Sequence, residues 1–265
     1  MMRPVETTVL RTLYERLINT DNKEQEYQSF LESHPQFIPR EFIQNHGLHL
    51  DVIFRKLQIG TDYICDFAYL SKSSCEWNCI LIEIEKPSSR FFKENSNDFH
   101  PDFHKAYGQI EKWLAALEQD PTRGYVAKAT LEKVLVPSAM YRNPVHFYFV
   151  LVHGRRHEYK DSETRRSLLR TRETKQIKIL SYDNLLDGFT SNRDAYIAVK
   201  KSETIDITSK RYVSDHLFAM VPSKMIRINR TLRDDIIASK DKWFTMVDFH
   251  KHVLDEALPN LKHFA

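Results

Sequence analysis

Apolar and polar positions along this chain follow two periods, and the switches between them predict its elements. Leu10, Leu13 and Leu17 recur at helical spacing, so residues 5–19 are expected to form a helix with those leucines on one face. A second helix is expected over about residues 22–34, with Tyr27, Phe30 and Leu31 as its apolar stripe and Pro35 as its stop. Asp21-Asn22-Lys23-Glu24 has the form of a capping box at its start. The period then shortens to two. Residues 48–57, 62–70 (DYICDFAYL) and 77–85 (WNCILIEIE) read as strands, and the last is apolar on both faces apart from its glutamates, which predicts an interior position in a sheet.

Pro87 ends the third strand and Pro101 opens a helix to about residue 118, burying Phe103, Tyr107, Ile110, Leu114 and Leu117. A buried strand follows at 145–152 (VHFYFVLV), then a basic helical stretch at 158–172, a short strand at 176–181 and a short helix at 182–189. This order predicts an α/β protein, a mixed central sheet flanked by helices. Beyond about residue 192 the pattern reads as mostly helical, with an amphipathic helix at about 242–257. The expected division is an N-terminal helix over 1–20, a core over 21–191 and a helical extension over 192–265 that serves assembly or regulation.

Composition narrows the class only slightly. The chain has 265 residues, 42% hydrophobic and 28% charged, with 16 Phe and 12 Tyr, enough for a substantial core. A net charge of +3 does not by itself announce a nucleic-acid partner. Cys65, Cys75 and Cys79 are the only cysteines, an odd number that argues against a disulfide framework and for a reducing compartment. With no leader and no long apolar run in view, the expectation is a cytoplasmic protein with no membrane partner. No glycine-rich phosphate loop is present, which argues against nucleotide hydrolysis.

The candidate chemistry lies in the strands. Glu83 and Glu85 are two residues apart and share one face, beside Trp77, Cys79 and Leu81. Carboxylates are rarely sunk in such a face unless they are paired or hold a cation. A hairpin turning between Ser74 and Cys75 places Asp66 opposite Glu83, Ala68 beside Leu81 and Ile64 beside Glu85. Two carboxylates directly opposed, at about 4.5–5.5 Å between Cβ atoms, repel unless a cation lies between them. Hard carboxylate oxygens suit Mg²⁺ or Mn²⁺. A divalent ion held by Asp66, Glu83 and the Ile84 carbonyl suits phosphodiester hydrolysis, with Glu85 as a further ligand or a general base. The alternative is a buried carboxylate paired with a lysine or arginine.

In order along the chain, residues 24–37 (EQEYQSFLESHPQF), Asp66, 81–87 (LIEIEKP), 107–113 (YGQIEKW), 152–155 (VHGR) and 177–186 (IKILSYDNLL) resemble the Shedu family of anti-phage defence nucleases, within the PD-(D/E)XK nuclease superfamily. The resemblance covers roughly residues 20–190 and implies a restriction-endonuclease-like core and Mg²⁺-dependent DNA cleavage by a homo-oligomer. It implies that Asp66, Glu83, Glu85 and Gln109 are catalytic and that Glu24 is an extra acid at the metal, although Glu24 equally fits the capping box. One position departs from the family: Glu85 stands where E-x-K puts a lysine. Lys86 is adjacent, but strand alternation points it the other way. The alternative function is a catalytically silent nucleic-acid-binding or sensor module.

Nine lysines and arginines against four acids lie between Gly154 and Lys178. Arg155, Arg156, Lys160, Arg165, Arg166 and Arg170 are candidates for a DNA backbone track, together with Lys86, though a solvated helix face explains them as well, except for Arg155, which follows a buried strand and stands where the resemblance places an arginine. Few residues look like base readers, so sequence-tolerant binding is expected. Asp98, His100, Asp102 and His104 alternate across a loop and a helix start, a spacing that does not bring four ligands together.

Overall fold

The computed structural model describes residues 4–59, 62–119, 140, 142–202, 204–208, 217, 221–238 and 262–264. Two helices, α1 (Pro4–Ile18) and α2 (Glu24–Ser33), precede three antiparallel strands, β1 (Leu48–Ile59), β2 (Tyr63–Lys72) and β3 (Trp77–Ile84). Helix α3 (Pro101–Gln119) leads to β4 (Val145–Val152), α4 (Glu163–Arg172), β5 (Ile177–Leu180) and α5 (Tyr182–Gly188). All of these elements were expected within a few residues. Among the described residues no helix is long and apolar enough to cross a membrane.

The region after residue 192 differs from its helical expectation. Its described residues form β6 (Tyr196–Lys200), β7 (Ile205–Ile207), β8 (Ile226–Asn229) and β9 (Lys262–Phe264), with one helix, α6 (Arg230–Ala238). β6 lies parallel to β1, so the sheet runs on across the expected boundary, and the nine strands take the order β5-β4-β3-β2-β1-β6-β7-β8-β9. Runs as short as Ile205–Ile207 carry too little periodic signal to mark a strand. The amphipathic helix expected at about 242–257 lies outside the described residues.

Each face of the sheet has its own core. On one side Trp77, Cys79 and Leu81 of β3 pack with Phe103, Ile110 and Trp113 of α3. On the other, Ile80, Ile82 and Ile84 pack with Tyr14 of α1, Tyr27 of α2 and Tyr182 of α5. β3 is an interior strand, as its two apolar faces predicted, antiparallel to β2 and parallel to β4. α1 buries Leu10, Tyr14 and Ile18, whereas Leu13 is 47% exposed. The expected leucine face is therefore rotated, because Tyr14 and Ile18 offer a better-spaced stripe than Leu13 does.

At one level of the sheet, strands β1 and β2 both turn over. Phe54 and Leu57 face the α3 side, as do Ala68 and Cys65 opposite them, although each pair is an odd number of residues apart. The turnover falls at Lys56 and Asp66, and Lys56 has a left-handed backbone with φ +47°. That conformation costs a non-glycine residue of order 1–3 kcal/mol and persists only where its surroundings enforce it.

Candidate active site

The site forms where β3 runs out of its partner. Pairing of β2 with β3 holds the expected register from Lys72↔Trp77 through Ala68↔Leu81 to Phe67↔Ile82. One step on, Asp66 comes level with Glu83, and its Oδ2 accepts the Ile84 backbone N–H at 2.8 Å. Asp66 therefore replaces a ladder carbonyl at the end of β3. Its other oxygen accepts from Gln28 Nε2 at 2.8 Å and from Lys56 Nζ. Asp66 is 4% exposed, so these donors compensate a carboxylate that would otherwise be costly to bury.

Glu83 is held from the opposite helix. Gln109 of α3 donates Nε2–H to Glu83 Oε1 at 2.5 Å. The second oxygen, Oε2, is enclosed and has no hydrogen-bond partner among the described residues. Burial, then the charges of Asp66 and Glu85, push the Glu83 carboxyl up to about 9. An unmatched buried acceptor costs about 1–3 kcal/mol, so this atom is a position at which a cation or a proton is stabilising. Glu85 lies just beyond β3, its N–H on Val152 O at 2.9 Å and its carbonyl accepting from Tyr182 Oη. Burial, then Glu24, raise its carboxyl as well.

Glu24 joins through a relay. Gln28 donates to Glu24 Oε1 at 2.9 Å and to Asp66 Oδ1. The capping box is not formed: Lys23 occupies the cap position with no side-chain bond, and the Asp21 carboxylate accepts from Ser88 Oγ at 3.3 Å. Starting the helix at Glu24 puts that residue in the first turn, one turn before Gln28, where a carboxylate also suits the helix dipole.

The acids thus gather at one level, but among the described residues no three His, Cys, Asp or Glu side chains converge as a metal-ligand set. The donors present nevertheless suit a hard divalent ion. They are carboxylate oxygens, and one of them is a buried acceptor with nothing to accept. At Ile84 the bond seen is made by the N–H, to Asp66. Among the described residues Asp98, His100, Asp102 and His104 do not converge on one centre: His100 Nδ1 pairs with Asp102 at 3.1 Å and Asp98 with Lys93 at 3.7 Å.

The basic residues are placed differently from the acids. Arg155 bonds Asp183 through Nε and Nη2 and reaches Ile18 O at 3.0 Å and Asn19 Oδ1 at 2.8 Å, clamping the end of α1 to the start of α5. Arg156 pairs with Asp187, and Lys160 lies 3.9 Å from Asp161 in an exposed pair. Arg165 bonds Glu158 O and Ser96 O and stacks over Phe92, and Arg166 bonds Lys160 O. Lys86 is partly buried beside Glu85, and its carbonyl accepts from Gly154 N at 3.3 Å. Gly154 has φ +53°, and a Cβ there would meet Ser89 O at 2.5 Å, so the bend that presents Arg155 requires glycine.

Two members of the site, Gln28 and Lys56, were missed from the sequence. Gln28 follows Glu24 at i+4, and that spacing was the available signal. Lys56 becomes visible once residues 48–57 and 62–70 are paired as a hairpin, since Leu57↔Cys65 and Arg55↔Phe67 leave Lys56 facing Asp66.

A family model described as Shedu protein SduA, C-terminal, matches residues 21–186, well over half of the chain and the whole of the acidic site. No curated protein matches the chain.

Proposed function

The chain belongs to the Shedu SduA C-terminal family, and from that premise we propose that it is a DNA endonuclease that hydrolyses phosphodiester bonds with the help of Mg²⁺ or Mn²⁺. Family membership implies a part in anti-phage defence. The observation that carries the nuclease reading is the placing of Asp66 level with Glu83, one step beyond the last ladder pair Phe67↔Ile82, where Glu83 Oε2 is buried with no hydrogen-bond partner among the described residues.

In this reading Asp66 and Glu83 would hold the divalent ion, with the Ile84 carbonyl and Glu24 as further oxygen donors, which leaves Glu85 free to act as the base. Such an ion would supply charge stabilisation to the phosphoryl oxygens and would ease deprotonation of the attacking water. Gln109 keeps Glu83 turned into the site, and Gln28 does the same for Asp66 and Glu24. Glu85, with its carboxyl raised, takes the proton from the attacking water. One P–O bond forms to that water and one breaks, and the leaving oxygen takes a proton from solvent, giving a phosphate monoester and a hydroxyl. The restriction-endonuclease-like core belongs to this proposal, as does a DNA track along Lys86, Arg156 and Lys160, with Arg155 bracing it from behind. So does a homo-oligomer, supported by Val5, Val9 and Leu13, an exposed apolar stripe on α1.

A second reading, a DNA-binding or sensor module without cleavage, is favoured by one residue, Glu85 in the position of the family's lysine. Incubation with linear DNA, supercoiled DNA and RNA in Mg²⁺, Mn²⁺ or EDTA decides between them. The nuclease reading predicts metal-dependent cutting of DNA. Retarded but intact DNA in every metal supports the silent module and overturns the nuclease.

A further inference from the structure

The acidic site needs a cation of its own, because Glu83 feels the charges of Asp66, Glu85 and Glu24, and Glu85 those of Glu24 and Asp66. Among the described residues the one cation bonded to any of these four is Lys56, whose Nζ sits on Asp66 Oδ1. Neighbouring cations are committed elsewhere or stand off: Arg55 pairs with Glu32 at 2.9 Å, and Lys105 bears on Glu85 through charge alone.

Two features separate Lys56 from an ordinary counter-ion. Its backbone is left-handed at φ +47°, at the level where β1 and β2 turn over, so the chain adopts a disfavoured conformation to aim this side chain. Its side chain is 41% exposed while that of Asp66 is 5% exposed. The ammonium therefore lies on the solvent side of the carboxylate, where an arriving phosphate meets it first. A lysine ammonium on a flexible stem can turn between two oxyanions without rebuilding its surroundings.

We propose that Lys56, delivered from β1, is the substrate-facing cation of the site, bonding the phosphodiester undergoing hydrolysis and supplying the positive charge that Glu85 cannot. The proposal rests on the nuclease reading above. It also implies that Lys56 and a divalent ion draw on the same carboxylate, Asp66, so removing the ammonium does not weaken metal binding.

The test combines DNA cleavage at saturating Mn²⁺ with Mn²⁺ binding by calorimetry, for the full chain and for Lys56→Met and Lys56→Arg. Expected is a fall in kcat of about 100-fold or more in Lys56→Met with little change in KM, recovery of about tenfold of that loss in Lys56→Arg, and Mn²⁺ affinity in both at least equal to wild type. Cooperative melting certifies folding of each variant, a folded Lys56→Met that fails to bind Mn²⁺ overturns the proposal, and should Lys56→Met not fold, the Lys56→Arg arm decides. Cleavage by Lys56→Met within about threefold of wild type overturns the role of Lys56 and leaves the nuclease standing. Lys56→Arg as inactive as a site-carboxylate variant while binding Mn²⁺ normally also overturns it. A wild type that cuts no DNA in any metal overturns the nuclease reading and this proposal with it.

Discussion

Gln109 Nε2 lies 2.5 Å from Glu83 Oε1, joining the middle of α3 to the end of β3. This contact fixes which oxygen of Glu83 is spent on the protein and which, Oε2, is left without a partner among the described residues. Outer groups that orient a ligand carboxylate commonly matter 10–100-fold in metal affinity or activity. Gln109→Ala is therefore expected to lower cleavage by about 10–100-fold and Mn²⁺ affinity with it. Gln109→Glu is expected to do worse, since it adds a carboxylate where a donor is needed. Parallel kcat and calorimetric measurements check both.

Glu83 makes stability depend on pH in a definite direction. Its carboxyl, at about 9 in the fold, lies above its unfolded value near 4.5. Between those values the folded chain holds a proton that the unfolded chain has released, so stability falls as pH rises. In EDTA the melting temperature is expected to decline from about pH 5 towards pH 9, and Glu83→Gln, which mimics the neutral acid, to flatten that decline. Mn²⁺ is expected to raise the melting temperature of wild type and not of Glu83→Gln. A decline of the same slope in both proteins would show that Glu83 is not the group responsible.

His153 gives the opposite sign. It is fully buried between the rings of Phe91 and Phe103, and burial lowers it from 6.5 to about 4. The unfolded chain takes up a proton first as pH falls, so stability present above pH 6.5 is lost between about 6.5 and 4, up to ~3 kcal/mol. Unfolding in urea at pH 7 and pH 5 should show this loss in wild type and most of it removed in His153→Phe. His153 Nε2 bonds Arg90 O at 3.1 Å, so His153→Phe also lowers stability at pH 7.

Arg155 separates two roles that the sequence left open. Burial would raise Asp183, but its bonds to Arg155 and to the Arg156 N–H outweigh burial and hold it low. The clamp reading predicts that Arg155→Ala loses about 1.5–3 kcal/mol of stability through Asp183 and the end of α1. A DNA-contact role predicts unchanged melting with weaker, less salt-dependent DNA binding. Melting and binding titrations on the one variant distinguish them.

Much of this was legible in the chain. The two-residue period through WNCILIEIE placed Glu83 on one face, and the short polar turn after Lys72 set the register that brings Asp66 level with it. Gln109 was legible only through family resemblance, because nothing in a helix pattern says which exposed glutamine reaches across to a strand. Lys56 was hidden because the pattern of one strand does not say which residue of its neighbour lies opposite Asp66; that needs the pairing of β1 with β2. The strands after residue 192 were hidden for another reason. They are three to five residues long and draw their stability from adding to an existing sheet, which leaves little trace in local periodicity.

The most direct test is cleavage of one supercoiled DNA at saturating Mg²⁺ by wild type and Glu83→Gln, purified identically and shown to melt cooperatively. The account predicts that wild type nicks and linearises the DNA and that Glu83→Gln is slower by about 1,000-fold or more, having lost the acid that holds the metal. Equal cutting by the two proteins would contradict it, because the chemistry would then reside somewhere other than the end of β3.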